Sequence, residues 1–92
     1  MLKLEGKIIK KMERESGVSQ STDKEWRIQS FVIETFGEYP KKVKFDCWNN
    51  MTDHIDNRKV GDLVSVSFAP ESREYNDRWY SQLRVVRIEL MN

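Results

Sequence analysis

Five short apolar segments divide this chain, and each has the length of a β-strand. The second of them is rich in β-branched and aromatic residues, which suit the pleated surface of a sheet. The segments span residues 2–12, 25–35, 42–48, 63–69 and 79–90. A chain of 92 residues has room for one domain with one modest core. We therefore expect a single all-β domain covering residues 1–92.

The third segment shows the clearest strand pattern. Its alternate residues are apolar, namely Val43, Phe45 and Cys47. The residues between them are Lys44, Asp46 and Trp48. Because successive side chains of a strand point to opposite faces, this alternation predicts a half-buried strand with one face toward the core.

The stretches between the segments indicate how they are connected. Residues 13–24 are polar and rich in Ser and Thr, which predicts a loop, and residues 36–40 contain the Gly and Pro of a turn. Between the third and fourth segments, Met51 and Ile55 have the i, i+4 spacing of a short helix. A second polar connection, around residues 70–78, separates the last two segments.

The order of elements is therefore strand, strand, strand, short helix, strand, strand. This order predicts a five-stranded OB-fold (Greek-key) barrel with one short helix between strands 3 and 4. Closure into a barrel also removes the exposed edges of a flat sheet. In the last segment, the apolar positions change parity between Val85 and Val86, which predicts a β-bulge. A split sandwich or an SH3-like barrel also fits the pattern.

The register of the hairpin formed by the second and third strands decides which residues face outward. A hairpin turning near Glu38 places Phe31 opposite Phe45 and Ile33 opposite Val43, which makes their face the core face. The opposite face then carries two tryptophans and a lysine, Trp26, Trp48 and Lys44. A slip of one residue would turn Trp26 inward instead.

Outward tryptophans indicate an interaction surface. In an OB fold, this face and the loops after the first and fourth strands bind nucleic acid. Aromatic rings stack on bases at roughly 1–3 kcal/mol each, while cations hold the backbone. The candidate binding residues are the rings and cations of this face and of the loop after the fourth strand: Lys24, Trp26, Arg27, Lys44, Trp48, Arg73, Tyr75, Arg78 and Tyr80.

Some aromatic and charged residues favour a structural role instead. Trp79 shares the parity of Leu83, which predicts that it belongs to the core. For Trp48, a core position and a ligand platform are equally compatible with the pattern. The lysines of the first strand are typical of a solvated face.

Catalytic and metal-binding chemistry has little support in this sequence. The one histidine, His54, lies beside Asp53 in the short polar helix, where a solvated surface is the simpler interpretation. The one cysteine, Cys47, has the inward parity of a buried hydrophobe and has no partner for a disulfide or zinc site. We expect no enzymatic activity, no cofactor, no metal and no small-molecule substrate.

The net charge and the hydropathy of the chain limit the kinds of partner that it can bind. Sixteen basic and fifteen acidic residues give a formal net charge of +1. This net charge is too small to bind the phosphates of a nucleic acid by itself. The chain has no apolar run of the ~18–20 residues that cross a membrane. We therefore expect a cytoplasmic protein that does not bind membranes.

Three sequence stretches resemble a known group of proteins. Residues 45–49 leading into the short helix, residues 60–66, and residues 78–80 opening the last strand are similar to the OB domains of bacterial single-stranded DNA-binding proteins and primosomal protein B. The chain resembles even more a small family of unknown function, from bacteria and their phages, that is grouped with those proteins. The resemblance extends over residues 6–89.

This resemblance implies binding of single-stranded DNA without sequence specificity in replication, recombination or repair, with RNA left open as the ligand. It implies stacking roles for Trp48 and for aromatic positions of the second strand, and assembly into a homodimer or homotetramer. The alternative hypothesis is a protein-interaction or assembly module that uses the stripe of Trp26, Ile28 and Trp48 as its interface.

Overall fold

The computed structural model describes residues 1–91, which form six β-strands and one α-helix. In chain order, these are β1 (Leu2–Lys11), β2 (Glu15–Val18), β3 (Glu25–Thr35), β4 (Lys42–Trp48), α1 (Met51–Asp56), β5 (Leu63–Tyr75) and β6 (Arg78–Leu90). None of the helical segments within residues 1–91 has the length and apolar character needed to span a bilayer.

Five of these strands close into a ring. The sheet order is β1-β5-β6-β4-β3-β2, and β1 also pairs with β3. Strand β1 can pair on both sides because residues 2–7 run along β5 while residues 6–11 run along β3. At the crossover, a Cβ atom on Gly6 would lie 2.5 Å from the carbonyl oxygen of Glu34, so the close approach requires glycine. The predicted five-stranded OB arrangement is confirmed.

The predicted register of the hairpin is also confirmed. Phe31 lies opposite Phe45, and Ile33 lies opposite Val43. The rings of Phe31 and Phe45 have centroids 5.6 Å apart, and Phe68 meets Phe45 edge-on at 5.0 Å. The core that these rings join is formed by the buried apolar residues Ile8, Phe31, Ile33, Phe45, Cys47, Ile55, Val64, Val66, Phe68, Val85 and Ile88. The inward residues of β4 were predicted from the alternation of apolar residues, and those of β3 from the register of the hairpin.

The short helix α1 and the β-bulge agree with the sequence as well. Helix α1 packs against β3, β4 and β6, and it buries Thr52 and Ile55. The register of β5 against β6 shifts between Ser67 and Phe68, which leaves Val86 as the extra residue of a bulge. The bulge explains why the apolar positions of the last strand change parity.

The predicted loop over residues 13–24 is partly wrong, because residues 15–18 form β2. This strand pairs antiparallel with the first part of β3, and the true loop follows it at residues 19–24. Strand β2 is short and polar because it lies at the free edge of the sheet, where its faces do not meet the core. Its ladder partner, not a hydrophobic pattern, holds it in place.

The predicted polar connection between the last two strands is also wrong. Strands β5 and β6 continue past the core as a hairpin that ends in a two-residue turn at Asn76 and Asp77. Both turn residues have positive φ, 53° and 63°, as a type I′ turn requires. Pro70 is tolerated because β1 ends at Leu2, opposite Phe68, so Pro70 pairs only with β6. With this hairpin the radius of gyration is 14.1 Å, against about 12 Å for a compact domain of this length.

Candidate functional site

The outward face of β3 and β4 carries the residues that the sequence placed there. Trp48 lies opposite Ile28, and Lys44 lies opposite Val32. Trp26 follows the same parity two residues before Ile28, at the end of β3 nearest the β2 hairpin. Both tryptophans are half-buried, so each ring keeps part of its surface open.

Trp26 owes its position to a glycine on the neighbouring strand. Gly17 of β2 lies directly opposite Trp26. A Cβ atom at Gly17 would lie 2.6 Å from Cζ2 of the indole, which means that the ring rests against the backbone of β2. The missing side chain therefore makes room for the ring.

The ring of Trp48 is partly enclosed by the protein. Its indole Nε1 is buried and has no hydrogen-bond partner among the residues that the structure describes, so this edge of the ring lies inside the protein. The guanidinium of Arg84, on β6, lies over the ring with its Cζ 5.4 Å from the ring centroid. This distance is that of a cation–π contact. Arg84 is not among the binding residues predicted from the sequence.

The β5–β6 hairpin has two different faces. Residues opposite each other in an antiparallel ladder share a face, so Arg73 shares one face with Tyr80, and Tyr75 shares that same face with Arg78. Arg84, opposite Ala69, belongs to this face too. The four predicted residues of this region therefore lie together.

This hairpin face is continuous with the outward face of β4. Asp46 of β4 and Arg84 of β6 are partners in the parallel contact that joins the two strands. We use the name ring-cation face for the surface made of Trp26, Lys44, Trp48, Arg73, Tyr75, Arg78, Tyr80 and Arg84. The structure thus brings together seven of the nine predicted residues.

The other two predicted residues differ in position. Lys24 is exposed in the loop just before β3, at the margin of the ring-cation face. Arg27 has the opposite parity to Trp26, and its guanidinium donates a hydrogen bond to the carbonyl of Asn49 at 3.3 Å. It also forms an ion pair with Asp53 of α1 at 3.5 Å. Arg27 therefore ties β3 to α1 and lies outside the ring-cation face.

Some arginines of this protein are held in ion pairs, whereas others are exposed and unpaired. Arg14 pairs with Asp56, and Arg87 pairs with Glu89 at 2.9 Å. Arg27 belongs to the same paired group. Three exposed arginines of residues 1–91 have no carboxylate within 4.0 Å, and all three lie on the ring-cation face: Arg73, Arg78 and Arg84. Their charge is available to an anionic ligand.

Acidic side chains on this surface partly offset its positive charge. Asp46 accepts a hydrogen bond from Ser30 and lies 4.0 Å from Lys44. Glu15 lies opposite Ile28, and Glu71 lies two residues before Arg73 on the same hairpin face. Any anion attracted here must therefore meet individual cations rather than a uniformly positive field.

Trp79 is not where the sequence predicted it. The prediction of a core position is wrong, because Trp79 is 68% exposed. It does share a face with Leu83, but the hairpin extends beyond the core at that point, opposite Glu74. Tyr75 and Tyr80, on the other face, are 69% and 55% exposed. The Asn-Asp turn was the signal that could have indicated this long hairpin.

The residues considered for other chemistry lie away from this face. Cys47 is buried in the core, and burial, together with the charge of Asp46, raises the pKa of its thiol to about 12. This thiol stays protonated near neutral pH, as expected of a small buried hydrophobe. His54 is exposed on α1. Within residues 1–91, no three His, Cys, Asp or Glu side chains are grouped so that they could hold a metal ion.

Comparison with solved structures identifies the same fold. The mitochondrial single-stranded DNA-binding protein Rim1 of S. cerevisiae superposes with a TM-score of 0.71 at 15% identity, covering 98% of this chain and 92% of that one. The SSB domain of a Synechococcus protein superposes with a TM-score of 0.65 at 16% identity, covering 95% and 90%. At this level of identity, the likeness establishes the shared OB fold.

Sequence comparison gives the family. No curated protein matches this sequence significantly. The expected membership in an OB-fold family of unknown function is confirmed by a match that takes in nearly the whole chain. The family described as "Domain of unknown function (DUF3127)" matches residues 3–89, and the chain belongs to this family.

Proposed function

We propose that this protein binds single-stranded DNA without sequence specificity, through aromatic stacking and contacts to the phosphate backbone. The observation that carries the proposal is the ring-cation face, on which exposed rings alternate with arginines that have no carboxylate partner within residues 1–91. Every base has a π-face, so rings can stack on any sequence, while the cations follow the backbone. The likeness to two single-stranded DNA-binding structures supports the same reading.

The hairpin pairs offer the two kinds of contact side by side. Arg73 lies opposite Tyr80, and Arg78 lies opposite Tyr75, so each ring has a cation as its direct cross-strand neighbour. Cross-strand neighbours have Cβ atoms about 5 Å apart. One nucleotide can therefore place its base on a ring and its phosphate near the adjacent guanidinium.

The near-neutral charge of the chain sets the expected salt dependence. With Lys44, Arg73 and Arg78 each neutralising one phosphate, the slope of log affinity against log salt is about −2, since each phosphate of a single strand contributes about −0.7. This slope is shallow for a nucleic-acid-binding protein. Stacking must then supply a large share of the affinity.

The broader role follows from this activity. We infer a function in DNA replication, recombination or repair, in the cytoplasm of a bacterium or in phage infection, with no catalytic step and no cofactor. We further expect a homodimer or homotetramer. RNA remains the competing ligand, since stacking on rings does not distinguish the two nucleic acids.

The first experiment is a titration of the protein with oligo-dT, followed by tryptophan fluorescence at low and moderate salt. We expect saturable quenching that weakens with salt. Tyr75→Ala and Tyr80→Ala should each weaken binding by about 5- to 150-fold, the equivalent of about 1–3 kcal/mol per stacked base. Tyr39→Ala is the matched control, because Tyr39 is 79% exposed but lies in the β3–β4 turn. No quenching at micromolar protein would refute the proposal.

A second candidate function is assembly with another protein. The half-buried side chains of Trp26, Ile28 and Trp48 lie side by side and form an apolar stripe, as an interface requires. Sedimentation of Trp48→Ala distinguishes the two functions. An interface predicts altered sedimentation, whereas a stacking role predicts unchanged sedimentation and weaker binding of DNA.

A further inference from the structure

Arg84 occupies the centre of the ring-cation face. It lies where β6 meets β4. On one side of it are the tryptophans on the outward face of β3 and β4, and on the other side are Tyr75 and Tyr80 of the β5–β6 hairpin. A strand of DNA that contacts both groups of rings must pass over this residue. Arg84 is exposed, so its guanidinium is within reach of such a strand.

The charge of Arg84 is not compensated within residues 1–91, where no carboxylate lies within 4.0 Å of it. Its partner on β4 is Asp46, but the Asp46 carboxylate accepts a hydrogen bond from Ser30 and has Lys44 nearby. The contact that Arg84 does make is with the ring of Trp48. A ring attracts a cation far less than a phosphate does in a charge-assisted hydrogen bond.

The same contact limits what Trp48 can do in the free protein. One edge of the indole is buried, with Nε1 inside the protein, and the guanidinium of Arg84 lies over the ring. A base cannot stack on the surface of the ring that the guanidinium covers. Arg84 has to move before this ring becomes a platform.

We propose that Arg84 is a phosphate-binding residue of this site and that it exchanges the ring of Trp48 for the nucleic-acid backbone when a single strand binds. The proposal rests on the proposed function and adds a residue and a movement to it. The guanidinium can donate a fork of two hydrogen bonds to phosphate oxygens, and its departure uncovers the ring for the base of the same nucleotide. One side chain thereby couples backbone binding to stacking.

Three variants test the proposal by oligo-dT titration over a series of salt concentrations. Arg84→Met keeps an apolar cover over Trp48 but removes the charge, and Arg84→Lys keeps the charge. Arg87→Met is the matched control: it removes the same charge from the same strand, at an arginine already paired with Glu89. The contacts of Lys44, Arg73 and Arg78 give a slope of about −2, and a fourth contact from Arg84 makes the expected wild-type slope about −2.8. We expect Arg84→Met to bring the slope back to about −2, and the two others to keep the wild-type slope.

The loss of binding affinity in Arg84→Met should be equal for oligo-dT and oligo-dA, because a phosphate contact does not depend on the identity of the base. If Arg84 only covers Trp48, Arg84→Met binds with the wild-type slope, and the proposal is overturned while the proposed function stands. If wild-type protein does not bind either oligonucleotide, both are overturned. The two failures are thus distinguishable.

Nuclear magnetic resonance tests the movement itself. In the free protein, the ring current of Trp48 should shift the Arg84 Hε signal upfield, and Trp48→Leu should remove that shift. On saturation with oligo-dT the wild-type signal should move downfield as the guanidinium leaves the ring. An Arg84 signal that keeps its upfield shift at saturation would overturn the exchange.

Discussion

Gly17 fixes the position of the Trp26 indole, so that Gly17→Ala displaces a ring of the ring-cation face while Trp26 itself is unchanged. A Cβ atom at residue 17 would lie 2.6 Å from Cζ2 and 2.8 Å from Cε2 of the indole. Ordinary van der Waals contact begins at 3.4 Å, so the ring has to move by about 0.8 Å. We expect the half-buried indole to swing outward.

The stability and the binding affinity should respond differently. Overpacking in a closed core costs about 1–3 kcal/mol, whereas Gly17 and Trp26 pair at the free edge of the sheet, so the free energy of unfolding should fall by less than about 1 kcal/mol. A displaced ring loses up to the about 1–3 kcal/mol that stacking on one base supplies. The dissociation constant for oligo-dT should rise by up to about 150-fold.

Urea denaturation and the oligo-dT titration measure the two effects, and tryptophan emission reports the displaced ring. Gly6→Ala is the matched control, because its Cβ would meet the backbone oxygen of Glu34 at 2.5 Å, which cannot swing away. We expect Gly6→Ala to lose about 1–3 kcal/mol or more of stability. The reasoning is refuted if Gly17→Ala binds DNA with wild-type affinity and emission, or if it destabilises the protein as much as Gly6→Ala.

Two further predictions concern the core. Phe45→Ala should lower the free energy of unfolding in urea by about 3–5 kcal/mol, because the ring is fully buried between Phe31 and Phe68; a loss below about 1 kcal/mol would contradict this packing. Burial raises the pKa of Cys47 from 9.0 to about 12, so the unfolded chain releases this proton at lower pH than the folded protein does. The free energy of unfolding should therefore fall as the pH rises above about 9, and Cys47→Ala should show a smaller fall, whereas equal slopes would argue against the raised pKa.

The hydrophobic alternation was sufficient to predict the core of this protein. A slip of one residue would have turned Phe31 and Ile33 to solvent, so the register of β3 and β4 is tightly constrained by the sequence. The spacing of Met51 and Ile55 was enough for α1, because both residues pack on the barrel. These predictions succeeded wherever one face of an element is buried.

The same reasoning failed where an element has no buried face. Strand β2 and the outer half of the β5–β6 hairpin carry polar residues on both sides, so they have no alternation to recognise. Backbone pairing to a neighbour and the turn geometry at Asn76 and Asp77 hold them instead. The exposure of Trp79 followed from this error, since parity predicts the face of a residue but not whether that face reaches the core.

By itself, the sequence determined which side of each core strand is apolar. It placed Trp26, Lys44 and Trp48 on the opposite side only through the assumed register of the hairpin. Only the tertiary structure decided which outward residues become neighbours. Arg84 reaches Trp48 because β4 and β6 meet in the closed ring, although 36 positions separate the two residues along the chain. The physical reason is that strands are joined by backbone hydrogen bonds, which every residue can accept and every residue except proline can donate, and these bonds leave no side-chain pattern to read.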